Sequence, residues 1–207
     1  MRFFALLLDF IFPPRRDTLL VRDLSEDEVL RHLAPTPISI LGHEGALLTP
    51  YRARAIGALV REAKFKGNAT AQQLLALVLS EYLRDYLADR GVYEERAAVL
   101  IPIPLSKKRF RARGYNQVEE VLKRVHMDIP LMPRALRRVR DTQPQTRLSK
   151  KERLKNLDGA FLASPLNPRY LYIVVDDVAT TGATLTEAAH ALQIGGARHI
   201  VPIALSH

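Results

Sequence analysis

Asp176 and Asp177 stand side by side in IVVDDVATTGATL, residues 173–185, between an apolar run and a loop of threonines and glycine. A strand that exits through two carboxylates and feeds a helix through VATTG leaves unpaired backbone N–H groups where the helix begins. The helix dipole there favours an anion. Gly182 allows close backbone approach, and Thr180, Thr181 and Thr184 add hydroxyl donors. Val178, Ala179, Thr180, Thr181, Gly182, Ala183 and Thr184 together form a candidate phosphate cradle without a lysine. Carboxylates do not bind phosphate directly. Asp176 and Asp177 are suited to accept hydrogen bonds from vicinal hydroxyls, or to act through Mg²⁺. A phosphate at one end and a diol beside it describe a ribose 5-phosphate.

A second cluster has the opposite sign. Lys107, Lys108, Arg109, Arg111 and Arg113 crowd PIPLSKKRFRARGYNQ, residues 102–117. The chain's net charge is +9, but residues 101–155 carry +11 and the remainder −2, so the whole excess lies in one internal segment. A focused positive field suits a phosphate-bearing ligand or a nucleic acid, and arginine supplies fork-shaped donors for either.

Helices and strands must bring these loops together. Ser25-Glu26-Asp27-Glu28 has the form of a capping box and opens a helix to about His32. Residues 35–50 read as one or two short strands with turns. Ile56, Leu59, Val60 and Ala63 share a helical face, Gly67-Asn68 breaks the run, and a longer helix follows from Thr70 to Arg90 with Gly91 beyond its end. AAVLIPIPL, from residue 97, is a buried strand stopped by Pro102 and Pro104. After a basic loop, Asn116 to His126 is helical. Asp141 to Lys155 reads as a long polar loop. A strand over 170–175, a helix from Gly182 to Gln193 and a last strand over 199–205 complete the pattern. Strands separated by helices imply an α/β fold with a parallel sheet, in which ligands bind at the carboxyl ends of the strands. Both loops fall at such ends.

The 47% hydrophobic and 26% charged composition is that of a soluble globular domain, and 207 residues bury a sizeable core. The absence of cysteine excludes disulfides and fits a reducing compartment, so a cytoplasmic location is expected. The opening MRFFALLLDFIFPPRR is interrupted by Asp9 and lacks a small-residue cleavage site. It is too short to span a bilayer and is expected to form a docked or surface-seeking helix.

IVVDDVATTGATL resembles the 5-phosphoribosyl-1-pyrophosphate (PRPP) motif of type I phosphoribosyltransferases. PxP followed by basic residues and RGYNQ resembles the pyrophosphate-side loop of the ComF family of phosphoribosyltransferase-like proteins. YRARAIGALVREAKFKG, residues 51–67, is similar to that family's segment ending Lys-Tyr-x-Gly, with Phe65 in the aromatic place. RVRDTQPQTRLSKKERLKNLDGAF, residues 138–161, is similar to a further segment and puts Thr142, Gln145, Arg153 and Asn156 forward as lid candidates. The resemblance covers residues 51–207 and implies a phosphoribosyltransferase-like domain there. Residues 1–50 stand where the family carries a cysteine-rich zinc ribbon. No zinc ligands survive beyond His32 and His43, so no zinc is expected. Ile38, Ile40 and Leu41 are expected to pack in the ribbon's place.

The resemblance implies attack by a nitrogen nucleophile at C1′ of PRPP, with Mg²⁺ present, expelling pyrophosphate with inversion. Asp176 and Asp177 would hold the ribose diol, and backbone N–H groups from Ala179 to Gly182 the 5-phosphate. Lys107, Arg109, Arg111 and Arg113 would hold the pyrophosphate. The last strand ends two residues before the end of the chain, so an acceptor pocket is expected from residues 1–97, where no base-binding constellation is apparent. The family also implies a part in DNA uptake during natural competence, with single-stranded DNA and a DNA-uptake helicase as partners. Non-enzymatic readings stand beside the transferase. In one, the +11 segment holds a DNA backbone and Phe110 or Tyr115 stacks on bases. In another, the protein senses PRPP without turnover.

Overall fold

The computed structural model describes residues 15–89, 97–140 and 159–207. The helix expected over 2–12, the stop at Gly91, and the loop carrying Thr142, Gln145, Arg153 and Asn156 lie outside the described residues. Seven strands are present among the described residues: β1 (Thr36–Ile40), β2 (His43–Thr49), β3 (Ala98–Pro102), β4 (Leu136–Arg138), β5 (Phe161–Ala163), β6 (Leu171–Val178) and β7 (His199–Ser206). Five form the central sheet in the order β1-β2-β7-β6-β3. Only the β1–β2 pairing is antiparallel. This mostly parallel α/β sheet, flanked by helices, is consistent with the type I phosphoribosyltransferase-like fold. The remaining pair, β4 and β5, is a separate antiparallel ribbon. Three-residue strands carry too little alternation to be legible in a sequence.

The sheet takes two strands from the first fifty residues. β2 pairs with β7 through Ala46–Ile203, Leu47–Ala204 and Thr49–Ser206. β7 contains Pro202 although it lies inside the sheet, and Gly45 on β2 accommodates it. A Cβ at residue 45 would lie 1.9 Å from the Pro202 carbonyl oxygen, so only glycine fits there.

Side chains alternate across β6 and split the core into two layers. Leu171, Ile173 and Val175 face a layer built with α1 (Arg16–Asp23), α2 (Glu26–Leu30), α3 (Arg54–Phe65), α4 (Ala69–Asp89) and α6 (Gln117–Leu122). Tyr172 and Val174 face α7 (Ala183–Ile194) and the β4–β5 ribbon. The capping box forms as expected: the Ser25 backbone N–H donates to the Glu28 carboxylate at 2.9 Å, and Ser25 Oγ accepts from the Glu28 N–H. The segment expected as a basic loop is instead a helix, α5 (Lys107–Arg113). Ser106 caps it by accepting from the Arg109 N–H at 3.3 Å, KKRFRAR is made mostly of good helix formers, and Gly114 closes it. Among the described residues no helix is long and apolar enough to cross a membrane.

Candidate functional site

The alternation that divides the core also divides the two acids. Asp177 continues the Leu171-Ile173-Val175 face, while Asp176 continues the Tyr172-Val174 face. Asp177 is buried, and three groups hold it. Lys64 Nζ lies 2.7 Å from Oδ2, Gln117 Nε2 donates to the same oxygen at 2.8 Å, and the Val178 N–H donates to Oδ1 at 2.8 Å. Burial alone would raise its pKa, but the Lys64 ammonium and these hydrogen bonds outweigh burial and hold it below the usual carboxylate value. Half-buried Asp176 accepts its neighbour's backbone N–H at 2.8 Å. Burial, and next the Asp177 charge beside it, push Asp176 up to about 8. Neighbouring carboxylates whose environments drive them apart mark one as anion and the other as a group awaiting a donor or a cation.

Beyond the acids the chain turns through Val178–Gly182 into α7. Gly182 has φ 72, a left-handed backbone that suits glycine, and α7 begins immediately after it. Asp176, Val178, Ala179, Thr180, Thr181, Gly182, Ala183 and Thr184 line a small cup at this helix start. The Ala179 N–H, expected to face phosphate, donates instead to Ser206 O of β7 at 2.9 Å. Ladder pairing continues one residue past β6, so the cradle begins at Thr180. Thr181 Oγ1 accepts from the Ala183 N–H at 3.5 Å and shapes the turn.

On the opposite wall, helical spacing sorts the basic residues. Arg109 and Arg113, four apart, share a face and line the main cavity. Lys107 and Arg111 share another face and line a shallow groove with Phe110 and Glu119. Lys108 lines neither. Arg113 Nη1 donates to Gln117 Oε1 at 2.6 Å, so a continuous chain runs Arg113–Gln117–Asp177. Burial lowers the Arg113 pKa, against the attraction of Asp177. Tyr115, considered as a stacking residue, is committed elsewhere. Its hydroxyl donates to Ala63 O at 3.0 Å, and its ring would lie 3.4 Å from a Cβ at residue 67. Asn116 is also structural: Nδ2 donates to Ile103 O at 3.0 Å while Oδ1 caps α6 through the Val118 N–H.

These walls enclose a cavity of about 500 Å³, within the range of small-molecule sites. Asp176, Asp177, Thr180 and Thr184 line one side, and Arg109, Arg113 and Gln117 another. Site residues not singled out from the sequence include Lys64, Gln117, Arg52 and Arg61, while Arg138, matched to the family's segment, also lines the cavity. Lys64 and Gln117 lie inside KFKG and RGYNQ, the segments that carry the family resemblance. That resemblance was the available signal, because a single lysine or glutamine on a helix announces no chemistry. The carboxylate pair fits Mg²⁺: Lys64 pairs with Asp177 and not with Asp176, and Mg²⁺ binds through one or two carboxylates together with water and substrate oxygens.

No protein-family model matches the chain. It is similar to Competence protein F of Haemophilus influenzae, 33% identical over 147 residues, which cover 69% of this chain and 63% of that protein. It is 32% identical over 143 residues to the DNA utilization protein YhgH of Salmonella typhimurium, covering 67% and 61%. Competence protein ComFC of Streptococcus pneumoniae is 27% identical over 143 residues, covering 69% and 59%. The matched region thus spans about three fifths of the length of these curated relatives.

Proposed function

Because the chain belongs to the ComF family, we propose that its cavity binds PRPP, or a ribose 5-phosphate, in support of DNA uptake in the cytoplasm. The observation that carries this reading is the convergence on one cavity of a carboxylate pair, a helix-start cup and two arginines. Each matches one part of the ligand. The cup from Thr180 to Thr184 receives the 5-phosphate on the positive end of α7. Asp176 and Asp177 accept from the 2′- and 3′-hydroxyls, and burial together with the Asp177 charge raises the pKa of Asp176. Arg109 and Arg113 face the pyrophosphate and neutralise its charge as it departs. Mg²⁺, when bound, adds charge neutralisation at the pyrophosphate and the diol. Lys64 and Gln117 hold Asp177 ionised and oriented. As a transferase, the protein would let a nitrogen nucleophile form the new bond at C1′ while the C1′–O bond to pyrophosphate breaks. Catalysis would then rest on positioning.

The names of the relatives, competence and DNA utilization proteins, support the link to DNA uptake. A strand-holding role draws on a separate observation. Lys107, Phe110 and Arg111 lie exposed on the outer groove, away from the cavity, where a single strand would find cations and an aromatic ring together.

The decisive experiment is a thermal-shift titration. PRPP with Mg²⁺ at about one hundred times its Kd stabilises the wild type by about 2.7 kcal/mol, a rise of roughly 5–10 °C for a chain of this size. Asp176→Asn loses that rise. Equal melting temperatures with and without PRPP would sink the reading.

A further inference from the structure

Part of the cavity lining is built differently from the phosphate cup and the charged walls. Tyr51, Val60, Phe65, Ile103, Pro104 and Leu105 give it an apolar wall. Phe65 is 64% exposed, in a chain that buries most of its large apolar side chains. Isolated exposed apolar side chains are ordinary; what sets Phe65 apart is that it lines the cavity. The Arg113 guanidinium carbon lies 5.3 Å from its ring centroid, which gives the ring a cationic neighbour on one side. Phe65 also follows Lys64 directly at the end of α3, and Lys64 reaches Asp177. Through Arg113 and Gln117 the ring is tied to the same carboxylate by a second route. Two short connections therefore place an aromatic platform beside the position assigned to the ribose diol.

We propose that Phe65 and Arg113 form a stacking subsite for a planar nitrogen heteroaromatic ring, next to C1′ of the bound sugar. The subsite rests on the proposed sugar-phosphate reading for its place in a reaction, but not for its existence. A ring laid on Phe65 gains apolar contact and dispersion, and Arg113 adds cation–π attraction along the same stack. Ring nitrogens of such a molecule are nucleophiles of the kind a transfer to C1′ consumes. Aliphatic amines offer the nitrogen but not the face, and are not expected to occupy the subsite. The acceptor residues thus come from 51–65 and 103–113, combining the region where an acceptor pocket was expected with part of the basic helix.

The chain contains no tryptophan, so Phe65→Trp installs a single tryptophan at the platform, excited apart from the tyrosines, and the exposure of Phe65 means that the fold should tolerate it. Adenine, hypoxanthine and uracil are titrated against this variant, along with a dT oligonucleotide and an abasic strand of equal length. Saturable quenching by a free base assigns the ring to a small-molecule acceptor. Quenching by the dT strand alone assigns it to bases of single-stranded DNA. Either outcome supports a stacking subsite. No saturable quenching by any base, or equal quenching by the abasic strand, overturns it. PRPP stabilisation is measured in parallel on wild type and Phe65→Ala. Base quenching without PRPP binding would remove the sugar-phosphate reading and leave the subsite. PRPP binding without base quenching would do the reverse. Where free bases quench, their affinity is expected to fall about tenfold in Phe65→Ala, read by competition, while PRPP stabilisation persists.

Discussion

The acid end of β6 and the basic helix α5 face one cavity, yet they depend on the fold to different degrees. Everything the acid end offers lies within a dozen consecutive residues: two carboxylates, a turn and a helix start. Its local chemistry survives almost any packing that keeps the strand-turn-helix intact. The basic segment offers five cations within seven residues, but only a helix decides which of them reach the cavity. Arg109 and Arg113 point one way, and Lys107 and Arg111 another. A motif of contiguous residues is thus legible without the fold, whereas a motif of like charges acquires direction only from the period of its backbone.

The sharpest way to break this comparison is to remove the group that joins the two sides. Lys64→Met leaves buried Asp177 with Gln117 and one backbone N–H as its named partners. It should cost about 2 kcal/mol in urea denaturation, less than the loss of a partner from a fully buried pair because Lys64 stays partly solvated. Adding Asp177→Asn should recover most of that loss. An unchanged midpoint in Lys64→Met would show that the ion pair contributes nothing.

The division within α5 is tested by calorimetry with pyrophosphate. Arg109→Ala is expected to lower affinity about tenfold, ~1.4 kcal/mol, while Lys107→Ala and Arg111→Ala change it by less than about twofold. The reverse order would move the pyrophosphate site to the outer groove.

The smallest expected effect separates the two acids themselves. Folding raises Asp176 from 3.8 to about 8. Between those values the folded chain holds a proton that the unfolded chain has lost, so stability falls as pH rises through that window. Asp177 works in the opposite sense. Its pKa is depressed, so its contribution is present above 3.8 and is lost only as pH falls through its lower folded value. Asp176→Asn should therefore stabilise the ligand-free protein by about 1 kcal/mol at mildly alkaline pH and flatten the decline seen in wild type. Melting curves across the neutral range check this, and a parallel decline in both proteins would refute the raised pKa.

Much of the architecture was readable because period and punctuation agree. The capping box at Ser25 began its helix, Gly67-Asn68 separated α3 from α4, and the apolar runs at 98–102 and 171–175 became neighbouring parallel strands. The reading of 107–113 as a loop failed for a definite reason. Five charges within seven residues resemble a solvated loop, while the helix rests on Ser106 and Gly114 at its ends, with no buried side chain of its own. The β4–β5 ribbon was invisible because its two strands lie more than twenty residues apart and are three residues long.

The sequence alone determined the identity of the local chemistry: two adjacent acids, a threonine-rich helix start and a concentrated positive charge. These depend on residue types at short spacing, which the chain carries wherever it folds. Tertiary structure decided which groups serve that chemistry. It brought Lys64 and Gln117 to Asp177 from 113 and 60 positions away, took the Ala179 N–H for the sheet, and turned Phe65 into the cavity mouth. It also gave the two acids opposite characters, because successive residues of a strand face opposite layers and meet different neighbours.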